Sequence, residues 1–407
     1  MDLAARFAAL DSWLAQHASV WRARPFVEHR LPWEQGWPQL AHWLRQQSLA
    51  HAEQAHTRLD LLDAPDPFAR LHSEAQALSR MPDWRASVPD NLPEALSRHM
   101  PGRKWQQVQR FAQVTQAQLQ SSPVHWLDWC AGKGHLGRVL AWQGGQPLTC
   151  LEIDPLLGEQ GVALSQSLGV DARHLQADVL DPAAWALLQP DQHVLALHAC
   201  GQLHMTLLQQ AVAHDCAAVA LSPCCYNRIA TSNYQPLSAE GRAARLQLSR
   251  VDLGLPLQST HTAGQRSRRL RDQSMAWRLA FDLWQREARG VDSYLPTPSR
   301  PESALSRGMP AFCRDLANYH QLHLPEPTDW PALEQRGWQR LAEVRNLELV
   351  QGLFQRPLEI WLLLDRALFM QQAGYQVQLG TFCPSALTPR NLLLLAERNS
   401  APLTPSL

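Results

Sequence analysis

Residues 125–137 read HWLDWCAGKGHLG and are the most informative part of the sequence about the fold. Its first five residues are mostly apolar and predict a buried strand, and the residues from Leu136 onward have the apolar spacing of a helix. The turn between them holds three glycines, Gly132, Gly134 and Gly137, with the spacing G-x-G-x-x-G. In this context the glycines let the backbone approach a ligand at the N-terminus of the helix. The stretch therefore predicts the first strand of an open α/β sheet, with a ligand site at the end of that strand.

Short β-type runs alternate with helical runs along the chain around this stretch. Such alternation predicts a parallel sheet with helices on both faces. We expect a helix over 105–119 before the sheet, and two more strands over 375–382 and 391–396 near the end of the chain. The five strands of the parallel part are expected over 124–129, 148–153, near 173–175, 194–197 and 217–221.

Helical patterns divide the rest of the chain. Residues 1–98 have helical apolar spacing interrupted by prolines, and predict a helical accessory region. We place the ligand-binding core at 99–235, a mostly helical insertion at 236–355, and a closing helix and β-hairpin at 356–398. Pro357 is expected to open the closing helix and Gly374 to follow its end, because helices favour proline in the first turn and glycine after the last.

An acid at the end of the first strand indicates what the loop binds. Asp128 lies four residues before the first glycine, where dinucleotide dehydrogenases usually have apolar residues. Its burial is costly unless a partner such as an ammonium group offsets the charge, and the N-terminus of the following helix suits a carboxylate. The methionine end of S-adenosylmethionine carries both groups. We therefore expect this cofactor, with Gly132, Lys133, Gly134 and Gly137 forming the loop around it.

Two further acids follow at the ends of the next two strands. Glu152 comes eighteen residues after Gly134, and can accept hydrogen bonds from both hydroxyls of a ribose. Asp178 can accept a hydrogen bond from the exocyclic amine of an adenine, while Val179 packs on the ring. The alternative for these acids is a solvated strand-end charge or a local turn cap.

The motifs resemble those of class I S-adenosylmethionine-dependent methyltransferases. DWCAGKGHL at 128–136, HACG at 198–201 and SPCCY at 222–226 are similar to a methyltransferase-like family with a Gly-Lys-Gly-His loop. A more distant likeness connects the last two elements to tRNA 2′-O-methyltransferases. The resemblance implies a Rossmann-like seven-stranded methyltransferase sheet, with a helical N-terminal region and a helical insertion before the last two strands. It also implies methyl transfer by in-line attack of an acceptor on the sulfonium methyl group.

Histidine and cysteine residues at the ends of three strands form the candidate acceptor pocket. His198 is the first candidate to take a proton from the acceptor, and Tyr226 is the second. A metal site is not expected, because the cysteines lack the C-x-x-C or H-x₃-H spacing of structural zinc sites. The cysteines could also be small buried thiols packed beside the backbone. They are Cys130, Cys200, Cys224 and Cys225.

Charge gives only a local indication of the acceptor. Lys+Arg 37 balance Asp+Glu 37, so no overall field steers the protein to nucleic acid or lipid. Between 238 and 300, however, the sequence contains 11 Arg and only 6 Asp and Glu. An arginine cluster at 266–271 lies near Trp277 and Trp284 in the sequence. Together these residues predict contacts with RNA. The alternatives are a solvated arginine face with core tryptophans, a protein or small-molecule acceptor, or a binding scaffold without catalysis.

Lysine is rare in this chain, although arginine is common. Lys104 and Lys133 are the only two lysines among the 37 basic residues, and both lie near the glycine loop. A compact ammonium at these positions can do what a planar guanidinium cannot. The N-terminus lacks the basic region of a signal peptide, and no apolar run reaches the ~20 residues of a membrane span. We expect a soluble cytoplasmic protein with reduced cysteines.

Overall fold

The computed structural model describes residues 2–56, 59, 62–84, 92–258 and 265–398. Within them, seven strands form one sheet in the order β3-β2-β1-β4-β5-β7-β6. Strands β1 to β5 are parallel, and β7 pairs antiparallel with both β5 and β6. The expected α/β seven-stranded sheet is confirmed. Its strands are β1 His125–Trp129, β2 Leu148–Glu152, β3 Ala172–Gln176, β4 Gln192–Cys200, β5 Ala218–Cys224, β6 Tyr375–Thr381 and β7 Leu392–Arg398.

Burial on both faces explains why these residues form the sheet. Every residue of β5 is buried, as are the first five of β4. Parallel strands covered by helices on both sides show such continuous apolar runs. One core cluster joins Phe111, Trp126, Leu140 and Leu395, each less than 2% exposed.

Helices surround the sheet and make up most of the remaining chain. The helical N-terminal region and the helices before the last two strands were both expected. Short 3₁₀ turns occur at Pro32–Gln35, Glu94–Ser97, Asp252–Leu257 and Glu302–Arg307. The α-helices are α1 Leu3–Gln16, α2 Ala18–Trp21, α3 Pro38–Arg45, α4 Leu49–Ala55, α5 Phe68–Leu78, α6 Gly102–Gln118, α7 His135–Gly144, α8 Pro155–Ser167, α9 Pro182–Trp185, α10 Gln202–Ala213, α11 Ala239–Ala243, α12 Gln265–Arg289, α13 Met309–Tyr319 and α14 Trp330–Gln372.

The prediction that Pro357 opens a helix is wrong. Pro357 lies inside α14, which begins at Trp330. An internal proline removes one backbone hydrogen bond and costs about 3 kcal/mol. The flanking side chains of Phe354, Leu358 and Trp361 are fully buried. Burial of each such side chain contributes about 1.5–3 kcal/mol, which offsets the cost of the proline.

The chain divides into two compact units. The first comprises residues 1–15, 78–259 and 357–407, and contains the sheet. The second comprises 16–77 and 260–356, and its own core includes Trp277, Phe281 and Leu316. Among the described residues, every helix is too short or too polar to cross a lipid bilayer. The four domain boundaries and the cytoplasmic location stay predictions.

Candidate active site

The candidate site lies where the strand order reverses. The chain passes from β1 to β2 on one side, whereas β4 pairs with β1 on the other side. In open parallel sheets the crevice outside the carboxyl ends of two such strands is the usual ligand site. The loop from Cys130 to Gly134 follows β1 directly, and His198 lies near the end of β4. The fold therefore brings the glycine loop and the first candidate base to the same edge.

A cavity of about 260 Å³ is lined by residues of this edge. Asp128, Gly132 and His198 line it, as do both lysines of the chain, Lys104 on α6 and Lys133 in the loop. Two ammonium groups and a single carboxylate favour a ligand with an anionic group in addition to a cationic one.

Positive backbone angles give the loop its shape. Gly132 and Gly134 have φ of 56° and 70°, which favours glycine. Cys130 has φ of 59°, an uncommon conformation for a residue with a side chain. A Cβ atom on Gly134 would also lie 2.8 Å from Cys150 Sγ and 2.8 Å from a ring carbon of His174. Glycine at 134 is therefore required by both its conformation and its surroundings.

A buried arginine that sequence reasoning missed holds the loop in place. Arg138 on α7 is 1% exposed and donates hydrogen bonds to Ser165 Oγ at 3.1 Å and the Gly161 carbonyl at 3.1 Å. It also donates to the backbone carbonyl of Lys133. Its position in an otherwise apolar helix, between Gly137 and Val139, was the available signal. Buried charges without such a role are rare.

The carboxyl group of Asp128 is buried beside the loop. Its side chain is 3% exposed, and Oδ2 accepts a hydrogen bond from the Gly137 backbone N–H at 2.9 Å. Burial raises the pKa of Asp128 to about 7, although the Gly137 hydrogen bond and the charge of Arg138 act in the opposite direction. The group is poised to ionise when a cation approaches.

The acids at the ends of β2 and β3 have different surroundings. Glu152 is half-buried, and its two oxygens accept hydrogen bonds from the backbone N–H groups of Gly132 at 2.8 Å and Asp154 at 3.0 Å. It thereby ties the end of β2 to the glycine loop. Asp178 is exposed and accepts a hydrogen bond from the Leu180 N–H at 2.9 Å, while Val179 is buried. Asp178 forms the local turn considered above and presents its carboxylate to solvent.

His198 has a hydrogen-bond partner that the sequence did not indicate. Its Nε2 lies 3.1 Å from Oε1 of Gln107, a buried residue on α6. The amide nitrogen of Gln107 lies 3.5 Å from the Leu387 carbonyl, so the amide oxygen accepts from His198 Nε2–H. Burial of the ring is the main cause that lowers the pKa of His198. The positive charges of Lys104 and Arg390 lower it further. The ring is therefore neutral at pH 7, with Nδ1 left to accept a proton.

Tyr226, the second candidate base, is buried among core side chains. It is 1% exposed, with the guanidinium carbon of Arg366 5.0 Å from its ring centre and the His204 ring 5.9 Å away. It is not among the residues that line the cavity.

Three of the four strand-end cysteines come together. The sulfur atoms of Cys200, Cys224 and Cys225 all lie within 4.8 Å of one another, and Cys130 and His198 are outside this group. A hydrogen bond with Cys224 lowers the pKa of Cys225 to about 5, and the pKa of Cys224 is raised in turn. Burial raises the pKa of Cys130 to about 12. Cys130 is thus a thiol at pH 7.

The family comparison covers the same segment. Residues 103–232 match a family model described as a methyltransferase domain. This range holds the five parallel strands, the glycine loop and His198. This part of the chain is therefore similar to methyltransferase domains, while the narrower subfamily suggested by the motifs stays a prediction.

Solved structures give only distant similarities to the chain. One is the tRNA (uracil-54, C5)-methyltransferase of Pyrococcus abyssi in complex with S-adenosyl-L-homocysteine, with 16% identity and a TM-score of 0.23. That alignment covers 28% of this chain and 27% of the other. Another is the plantazolicin methyltransferase BpumL in complex with SAH, with 14% identity over 44% of this chain and 59% of the other and a TM-score of 0.24. These similarities are too low to indicate a substrate. A comparison with curated proteins gives no match.

Proposed function

We propose that the methyltransferase domain uses S-adenosylmethionine as methyl donor and that its acceptor is RNA. The observation that carries the first part is Asp128, a buried carboxyl group on the wall of the cavity at the glycine loop. A desolvated carboxylate is unfavourable unless a cation lies beside it. The ammonium group of the methionine moiety is such a cation, so the residues of the site fit this cofactor.

The other candidate residues are proposed to bind the remaining groups of the cofactor. The N-terminus of α7 and the ammonium group of Lys133 suit the methionine carboxylate. Glu152 keeps unused lone pairs on both oxygens after binding the loop, and these can accept from the ribose hydroxyls. Asp178 and Val179 are assigned to the adenine amine and the adenine ring.

The bound cofactor supplies an electrophilic methyl group on a sulfonium sulfur. The chain itself positions the reactants and excludes water, which lowers the barrier for attack of the acceptor. His198 Nδ1 is the proposed proton acceptor when the acceptor atom carries a proton. Gln107 positions His198 by holding the proton on Nε2, so Nδ1 is the basic nitrogen.

Calorimetry with S-adenosylhomocysteine, NAD and NADP tests the donor. We expect S-adenosylhomocysteine to bind once per chain and to stabilise the fold, by about 2.7 kcal/mol at a hundredfold excess over Kd. Neither dinucleotide should bind. Binding of NAD or NADP in its place would support an oxidoreductase, and no binding of any of the three would support a scaffold without catalysis.

Exposed arginines support RNA as the acceptor. Arg266, Arg268 and Arg269 on α12 are exposed. Arg271 lines a separate cavity of about 480 Å³ in the second unit, together with Arg278. Such a surface suits phosphate groups.

The tryptophans near this cluster do not contribute to the RNA argument. Trp277 and Trp284 are 3% and 6% exposed, and their indole N–H groups donate to Glu334 and to the Pro325 carbonyl. They are core residues and cannot stack on bases. Of the two features in the sequence argument for RNA, the arginine cluster therefore remains.

Incubation of the purified protein with labelled S-adenosylmethionine and with total RNA and protein from a deletion strain identifies the acceptor class. We expect label in material that ribonuclease destroys and protease does not. The variant with Arg266, Arg268 and Arg269 changed to Gln should bind RNA more weakly and with a flatter dependence on salt, because fewer counterions are released. Changing the exposed Arg70, Arg173 and Arg307 to Gln removes the same charge elsewhere and should leave the slope unchanged. Protease-sensitive label would establish a protein acceptor instead.

A further inference from the structure

The three-cysteine group brings together sulfur atoms from the ends of β4 and β5. Cys200 pairs with Cys224 across the two strands, and their Sγ atoms lie 3.6 Å apart. Cys225 follows Cys224, and all three sulfurs lie within 4.8 Å of one another. A tetrahedral ion with Zn–S bonds of about 2.3 Å holds its sulfurs roughly 3.8 Å apart. Small side-chain movements would therefore complete such a site.

The backbone around the group departs from regular strand geometry. The register of β4 on β5 shifts between Leu197 and Cys200, and His198 and Cys225 have positive φ values of 74° and 46°. Positive φ at residues with side chains costs on the order of 1–3 kcal/mol each and is concentrated at functional sites. Without the shift, Cys200 would not oppose Cys224.

Access and charge also suit a metal ion. Cys200 and Cys225 are half-buried and Cys224 is buried, so an ion can reach the group from solvent while one sulfur anchors it in the core. Three thiolates and a divalent ion carry a net charge of −1. Arg228 carries a positive charge next to this segment, where its backbone N–H donates to the Cys225 carbonyl at 2.9 Å.

We propose that Cys200, Cys224 and Cys225 bind one Zn²⁺ ion as three thiolates, with a fourth position open to an exchangeable ligand. The thiol protons are released to solvent on binding, and no redox step is involved. Three protein ligands with an open position are typical of catalytic rather than structural zinc sites. The site is independent of which methyl donor the domain uses.

Cobalt absorption provides a direct test on the full-length protein, reduced and freed of metal by a chelator. We expect Co²⁺ to bind once per chain with thiolate-to-metal bands in the near ultraviolet, and Zn²⁺ to remove those bands. Cys200→Ala and Cys225→Ala should each weaken Co²⁺ binding more than about tenfold. The matched control Cys130→Ala removes a half-buried thiol at the end of β1, outside the group, and should bind as the wild type does.

Thiol protection supplies a second readout that needs no variant. Zn²⁺ should protect Cys200, Cys224 and Cys225 of the wild type from alkylation, as mapped by mass spectrometry, and should leave the reactivity of Cys130 unchanged. Absence of thiolate bands and of protection would overturn the proposal. A redox pair would be established instead by two results together. Protein purified without reductant would contain a Cys200–Cys224 disulfide, and the reduced protein would bind neither Co²⁺ nor Zn²⁺.

Discussion

The Asp128 carboxylate accepts a hydrogen bond from the backbone N–H of Gly137 at 2.9 Å, and a Cβ atom on Gly137 would lie 3.2 Å from the same oxygen. The end of β1 and the first turn of α7 are thus joined through one carboxyl group. A side chain at 137 would also lie 2.5 Å from Leu148 Cδ1 on β2. The third glycine of the loop therefore serves the packing of helix on sheet, and with it the position of the acid.

The raised pKa of Asp128 predicts that cofactor binding releases a proton. With a pKa of about 7, the free protein holds the proton below pH 7, whereas a bound ammonium group favours the carboxylate. S-adenosylhomocysteine should bind more weakly as the pH falls from about 7 to 5. Calorimetry in two buffers of different ionisation enthalpy should show about one proton released near pH 6.

Asp128→Asn provides the control for this release, because it keeps an acceptor for the Gly137 N–H but cannot ionise. The variant should show no proton release and a flat dependence of affinity on pH in this range. Equal release by wild type and variant would assign the proton to another group.

Glu152→Ala should weaken S-adenosylhomocysteine binding roughly ten- to hundredfold. The loss of hydrogen bonds to a charged group costs about 1.5–3 kcal/mol, and the change also frees the Gly132 N–H that Glu152 holds at 2.8 Å. Calorimetry measures the effect, and the exposed Glu159→Ala on α8 provides a charge-matched control. Unchanged affinity in Glu152→Ala would remove this residue from the site.

Two glycines of α8 test whether this helix supports the glycine loop by close packing. A Cβ atom on Gly161 would lie 2.6 Å from His174 Nδ1 and 3.1 Å from the Lys133 carbonyl, whereas nothing lies within 4 Å at Gly158. Gly161→Ala should destabilise the protein by about 1–3 kcal/mol. Gly158→Ala should stabilise it by about 0.5–1 kcal/mol, because alanine loses less backbone freedom in a helix.

Chemical denaturation measures both free energies of unfolding. Equal effects of the two substitutions would contradict the close packing of α8 against the loop. The packing of Gly161 against the glycine loop further predicts weaker S-adenosylhomocysteine binding for Gly161→Ala alone.

The strand-end acids and the alternation of elements could be predicted from the sequence, because both depend on local patterns. A buried strand with an acid at its end, followed by glycines, has few other interpretations. The partners of those acids could not be predicted in the same way. Arg138 and Gln107 act through contacts with residues distant in sequence, Gly161 and His198, which only the packed sheet brings close.

The error at Pro357 has a physical cause of the same kind. Pro357 has a local preference for the start of a helix, but burial of its neighbours outweighs that preference and the helix continues. Cys200 and Cys224 meet at the strand ends as the parallel sheet predicts, but the register shift that sets their pairing could not be predicted from the sequence.

Lys133→Arg should keep the fold and the melting temperature but lose turnover by on the order of tenfold or more. The Lys133 side chain lines the cavity between two glycines with left-handed backbone. A guanidinium is broader than an ammonium group, and misplacement worth ~1.4 kcal/mol accounts for a tenfold loss. Turnover with the identified acceptor measures the effect. Wild-type turnover in the variant would show that the lysine is incidental.

A crystal structure of the protein with S-adenosylhomocysteine would show directly whether Asp128 holds the amino group of the ligand. We expect ligand density at the carboxyl ends of β1 and β4, with the amino group within hydrogen-bond distance of Asp128 and the ribose hydroxyls at Glu152. Density elsewhere on the chain, or at this edge with the amino group turned away from Asp128, would contradict it.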